Sequence, residues 1–157
     1  MSTAADQLLE DVRTTEEVAI LTDEIDVLLE ALYHSNKEAF GHALKANVRQ
    51  SVAERIDKIF PDFESGEERQ KLRAVFEDLK KKFGELEILK IETPLAATEE
   101  TITLVSEWVR SNVGRNVIIA LGIDKSLLGA RFTFRGRYKE VTLESFIAEA
   151  VSRRVGS

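Results

Sequence analysis

Residues 115–138, RNVIIALGIDKSLLGARFTFRGRY, constrain the fold more than any other stretch of the chain. Val117, Ile118, Ile119 and Leu121 form a short, β-branched run that suits a largely buried strand better than a helix. Asp124-Lys125-Ser126 interrupts the run, and Gly129 supplies the backbone freedom of a bend. Phe132 and Phe134 then alternate with Arg131, Thr133 and Arg135, the two-residue period of a half-buried strand. Arg135-Gly136-Arg137 turns that strand back. A sheet is expected here, and everything else must pack on it or lead up to it.

Upstream the pattern is helical. Residues 1–13 are polar with one apolar pair, Leu8-Leu9, and read as a frayed helix or a tail. Over residues 14–33 the spacing predicts a helix, opened by a Thr14/Glu17 capping box. Val18, Leu21, Ile25, Leu28 and Leu32 form a narrow stripe, the seam of a helix packed along another, in a bundle core or against a partner helix. Asn36 is placed to cap a second helix reaching about Phe60, with Phe40, Leu44, Val48, Val52, Ile56 and Ile59 on its apolar face. Pro61-Asp62 ends it. A third helix is expected over 67–84, with Leu72, Val75, Phe76, Leu79 and Phe83 inward and Gly84 as C-cap. Its acidic start and its Lys80-Lys81-Lys82 end suit the helix dipole, so the lysine run reads as a solvated last turn rather than an anion site.

Residues 86–92 read as a strand with Leu86, Ile88 and Ile91 inward, closed by Thr93-Pro94. Thr98 caps a helix whose face carries Ile102, Val105, Trp108, Val109 and Val113, and Gly114 stops it. Trp108, the single tryptophan, reads as core. After the sheet stretch, Thr142 caps a last helix with Leu143, Phe146, Ile147 and Val151 that ends in Arg153-Arg154. The expected class is α+β: an N-terminal bundle of three to four helices over 1–84, then a small mixed-sheet β-α-β-β-α domain over 85–157.

The net charge of −6 argues against a general electrostatic grip on nucleic acid or anionic lipid. Without cysteine, disulfides and thiolate metal sites are excluded. The opening MSTAADQLLEDV has no basic region or apolar run of a secretion signal, and no window approaches the roughly 20 apolar residues of a membrane span. No phosphate-binding glycine loop or triad pattern is recognisable, and His34 and His42, eight apart with no acidic cluster between them, read as surface or junction residues. Asp124-Lys125-Ser126 is the one polar cluster at a strand end, where ligands of α/β sheets often bind; a self-capped turn is the expected role, a catalytic Asp124 the alternative. Catalytic residues, cofactors and metal ligands are therefore all expected to be absent.

Residues 117–129, centred on Ile123-Asp124-Lys125-Ser126-Leu127-Leu128-Gly129, resemble the C-terminal signature of the delta subunit of F-type ATP synthases, the family of the oligomycin-sensitivity-conferring protein. The order of elements over about 85–154 resembles that family too, although Ala130 stands where it has a second glycine and the helical part is shorter than its usual six-helix bundle. The resemblance implies a non-catalytic peripheral-stalk subunit. Its partners would be the N-termini of the alpha subunits of the catalytic head and the b subunit. It would sit at the cytoplasmic face of the membrane through the complex, with no insertion of its own. Exposed apolar residues of the 14–33 and 142–155 helices would be the contacts. Two alternatives stand beside it. The E-type stalk subunit of V/A-type ATPases has a similar turn, but needs a long N-terminal helix that the breaks at Ser35-Asn36 and Pro61-Asp62 oppose. A sheet-based nucleic-acid adaptor would use Arg131, Phe132, Phe134, Arg135 and Arg137 as a basic, aromatic surface.

Overall fold

A computed structural model describes residues 3–33, 37–62 and 66–141, together with Ala148 and Val151. The fold is α+β, with N-terminal helices followed by a mixed four-stranded sheet. The chain divides into two units: residues 1–12 with 18–84, and residues 13–17 with 85–157.

The helical unit is built from α1 (Ala4–Leu9), α2 (Thr15–Tyr33), α3 (Lys37–Ala46), α4 (Gln50–Ile59) and α5 (Gly66–Glu85). Leu21, Ile25, Leu28, Phe40, Ile56, Leu72, Phe76 and Leu79 are fully buried at its centre. Each such side chain contributes roughly 1.5–3 kcal/mol through removal of apolar surface from water. The stripe expected on α2 faces this core, with Val18 and Leu32 at its margins. The capping box forms: Thr14 Oγ1 accepts the Glu17 N–H at 3.2 Å, and Glu17 Oε2 accepts the Thr14 N–H at 3.2 Å.

The described residues of this unit form five helices rather than three or four, for two reasons. The opening segment is neither frayed nor a tail. Thr3 and Asp6 form a reciprocal capping box that starts α1, and its buried Ala5 and Leu8 join the core where α1 packs on α4. Ion pairs of Asp6 with Lys82 (2.9 Å) and of Asp11 with Arg55 hold the segment down. The second helix, expected unbroken to Phe60, is split between Ala46 and Gln50. Its apolar residues mostly recur at steps of four, and each such step overshoots a turn by about 40°. From Phe40 to Ile56 an unbroken helix would carry the stripe through roughly 160°, off the core. The break resets the phase, so that Phe40, Leu44, Val48 and Ile56 are all buried. Glu24 of α2 fixes the break: its carboxylate accepts the Arg49 backbone N–H (2.7 Å) and Nε (2.8 Å). Gly84 is not a C-cap, because α5 runs through it to Glu85 and no positive φ occurs there. The proposed cap at Asn36, with His34, lies outside the described residues.

The second unit contains β1 (Glu87–Thr93), α6 (Glu99–Asn112), β2 (Val117–Ile123), β3 (Ala130–Phe134) and β4 (Arg137–Val141). The sheet order is β2-β1-β3-β4, with β1 and β2 parallel and the other pairs antiparallel. Leu89, Ile91, Val117 and Ile119 pack with Val105 and Val109 of α6, and Trp108, Phe132 and Phe134 border that core. β1 buries Leu89, Ile91 and Thr93, so the inward placement expected of Ile91 holds, while Ile88, also expected inward, is exposed. Its neighbours set the phase, since Leu89 aligns with Ile119 and Ile91 with Phe132 on the α6 side. Val113, expected on the inner face of α6, is exposed at the helix end. The Arg135-Gly136 turn has positive φ at both residues, 51° and 77°, the two-residue hairpin turn that matches strand twist. It returns the chain as β4, a fourth strand beyond the expected three. The predicted last helix from Thr142 lies outside the described residues, apart from the helical Ala148 and Val151.

Residues 13–17 complete the sheet. The Ile119 N–H donates to the Arg13 carbonyl at 2.9 Å, and Thr14 pairs with Ile119 in a parallel bridge on the outer side of β2. Helix spacing alone assigns these residues to the bundle, because a one-residue bridge leaves no strand pattern to read.

Candidate functional site

The end of the sheet where β1 and β2 both terminate carries several exposed apolar side chains. Thr93, last in β1, aligns with Ile123, last in β2. The Asp124 N–H donates to the Thr93 carbonyl at 2.8 Å, and the Thr93 hydroxyl donates to the Leu95 carbonyl at 2.6 Å. These bonds fix the two outgoing loops where the strands stop. The loop after β2 is stiffened by Asp124, whose Oδ1 accepts from the Ser126 N–H (3.0 Å) and hydroxyl (2.6 Å). The Ser126 hydroxyl and amide, with Arg131 adding charge attraction, hold the Asp124 carboxyl below the usual carboxylate range. Asp124 is thus tied up in its own turn.

Four large apolar side chains surround this framework. Leu121 is 42% exposed, Ile123 60% and Leu95 77%, while Leu128 stands fully in solvent. Leu121 and Ile123 share one face of β2 by the two-residue period. Single exposed leucines are ordinary, whereas contiguous apolar patches are the feature that interaction surfaces share. In the helical unit, Ile20 and Tyr33 of α2 are exposed, and the Arg73 guanidinium lies 4.5 Å from the centre of the Tyr33 ring.

The basic and aromatic residues of β3 do not form one surface. Phe132 and Phe134 border the α6 core, whereas strand alternation places Arg131 and Thr133 on the other face. Arg131 is engaged with Glu140 at 3.1 Å, and lies 3.8 Å from Asp124 and 3.9 Å from Glu92. Arg135 binds Glu87 through two 2.7 Å hydrogen bonds and stacks on Phe134. The Glu87 carboxylate raises the Arg135 pKa and is itself lowered by the arginine.

The remaining singled-out residues lie apart from this site. His42 is exposed on α3, and no group of three or more metal-ligating side chains occurs among the described residues. Trp108 lines the sheet core. Within the lysine run, Lys80 pairs with Asp26 at 2.6 Å and Lys82 with Asp6. Sequence reasoning passed over Leu95 and Leu128 as contact residues because they belong to no periodic stripe. The available signal was a large apolar side chain inside a turn-forming segment. Among the described residues, no helix is long and apolar enough to cross a membrane. No protein-family model matches the chain, and no curated protein matches it either.

Proposed function

We propose that this chain is a non-catalytic subunit of the peripheral stalk of a proton-translocating F-type ATP synthase. In this reading it links the alpha-subunit N-termini of the catalytic head to the end of the b subunit and resists rotor torque. It is held at the cytoplasmic face of the membrane by the complex. The observation that carries the reading is the segment 117–137. Its delta-like Ile123–Gly129 motif falls at a strand–turn–strand junction, and exposed Leu121, Ile123 and Leu128 accompany it. A joint under load needs stiff apolar surfaces that receive a partner's amphipathic helix. The Asp124 turn and the Thr93 bonds supply stiffness at this end of the sheet. The separation of Arg131 from Phe132 and Phe134 on opposite faces favours this reading over a nucleic-acid adaptor.

The test is co-purification with head subunits and the b subunit. The wild-type chain should recover both, and a doubly charged variant, Ile123→Lys with Leu128→Lys, should lose the b subunit while keeping its circular dichroism. Recovery of the wild-type chain with neither partner would overturn the reading.

A further inference from the structure

β2 is an edge strand, and its seven residues, Val117-Ile118-Ile119-Ala120-Leu121-Gly122-Ile123, carry no charge and no proline. A β-prone, uncharged run of this length on an open edge is the pattern that pairs with its own kind. The opposite edge is different: β4 carries Arg137, Lys139 and Glu140 in five residues and so protects itself by charge. β2 is protected from outside its own sequence. The Asp124 N–H points toward β1, so the N–H groups of Ile119, Leu121 and Ile123 point outward by the two-residue period. Ile119 donates to the Arg13 carbonyl, and Thr14 bridges to the same residue. Among the described residues no strand pairs with β2 beyond that bridge on this side.

Arg13 is strongly held for a residue in a connection. Its guanidinium binds Glu17 at 2.5 and 3.0 Å, Glu99 at 2.8 Å and Thr103 at 2.9 Å, while its own N–H donates to Glu17 at 2.6 Å. We propose that residues 13–17 are an edge guard, and that their release lets β2 pair with the β2 of a second copy of this chain. A second copy is the fitting occupant because two uncharged runs meet without local repulsion, whereas the rest of each chain, at net −6, repels its twin. Rising salt weakens the Arg13 pairs, above all that with the exposed Glu99, and screens that repulsion, so it promotes the paired form.

The experiment compares the full-length wild type with Arg13→Ala by amide hydrogen exchange and sedimentation across protein concentration. In Arg13→Ala the Ile119 amide should exchange roughly five- to tenfold faster, the loss expected for one edge hydrogen bond. Its mass should rise with concentration above the wild-type value. Adding Leu121→Lys, a charge on the bare edge, should restore the wild-type mass while Ile119 stays fast. If Arg13→Ala does not fold, Glu99→Gln with Thr103→Val removes the two more distant tethers and gives the same readouts. A folded variant with fast Ile119 exchange and unchanged mass overturns the proposal. Association that Leu121→Lys leaves intact does so too, and so does a wild-type Ile119 amide exchanging as fast as that of Leu121.

Discussion

Replacing Glu24 by alanine tests the account of the α3–α4 break most directly. The Glu24 side chain is 7% exposed, and its Oε1 lies 2.6 Å from the Arg49 guanidinium, whose own side chain is 46% exposed. The same carboxylate accepts the Arg49 backbone N–H at the start of α4. Losing that capping contact costs about 1 kcal/mol. Losing the charge-assisted pair costs about 1.5–3 kcal/mol, toward the lower figure because the half-exposed arginine is rehydrated. The expected sum is about 2–3 kcal/mol, read as a lower urea midpoint of the helical signal. Glu24→Gln keeps a neutral acceptor for the N–H and should cost only about 1 kcal/mol. Arg49→Ala leaves the backbone bond but strips a buried carboxylate of its cation, and should cost at least as much as Glu24→Ala. The Arg49 amide should lose exchange protection in Glu24→Ala and retain most of it in Glu24→Gln. A Glu24→Ala loss below about 0.5 kcal/mol, or equal losses for alanine and glutamine, would refute the reasoning.

Two further outcomes follow from the Asp6 contacts and from the Gly136 turn. The Asp6 carboxyl is lowered from 3.8 to about 2, first by its bond to Lys82 and then by the Thr3 backbone and hydroxyl. A depressed folded pKa stabilises fully above the unfolded value and is lost as pH falls through the folded one. The Asp6 carbon resonance should therefore titrate near 2, and Asp6→Asn should flatten the fall in stability below about pH 4; titration at the ordinary value would refute the pairing. Gly136→Ala places a side chain at φ 77° in otherwise open space, so its cost is backbone strain of about 1 kcal/mol, visible as a lower melting temperature; an unchanged melting temperature would exclude this hairpin turn.

Local rules located the elements whose cause is local. The Thr14/Glu17 box, the α2 stripe, the Thr98 cap and the Arg135-Gly136 turn each depend on residues within four of one another, and each is present. Features imposed from far along the chain were not readable. The α3–α4 break depends on Glu24, which lies 25 residues before Arg49. The phase of β1 depends on neighbours in β2 and β3, because Ile88, Leu89 and Ile91 offer both faces of that strand a hydrophobic residue. The charged bonds of Lys82 and Arg55 to the first helical segment likewise join residues 76 and 44 apart. At the candidate site, the Asp124 turn was legible because it is a three-residue motif, while the alignment of Thr93, two residues before Leu95, with Ile123 required the parallel pairing of β1 and β2.

The bridge between Thr14 and Ile119 has a consequence for synthesis. Thr103, which helps fix Arg13, is made 90 residues after it. The chain emerges from the ribosome amino end first, so the cover for β2 exists well before β2 itself is translated. The opposite order would leave a sticky ribbon waiting for its shield. A circular permutant that begins at residue 85 would reverse the timing, and should give less soluble protein during expression.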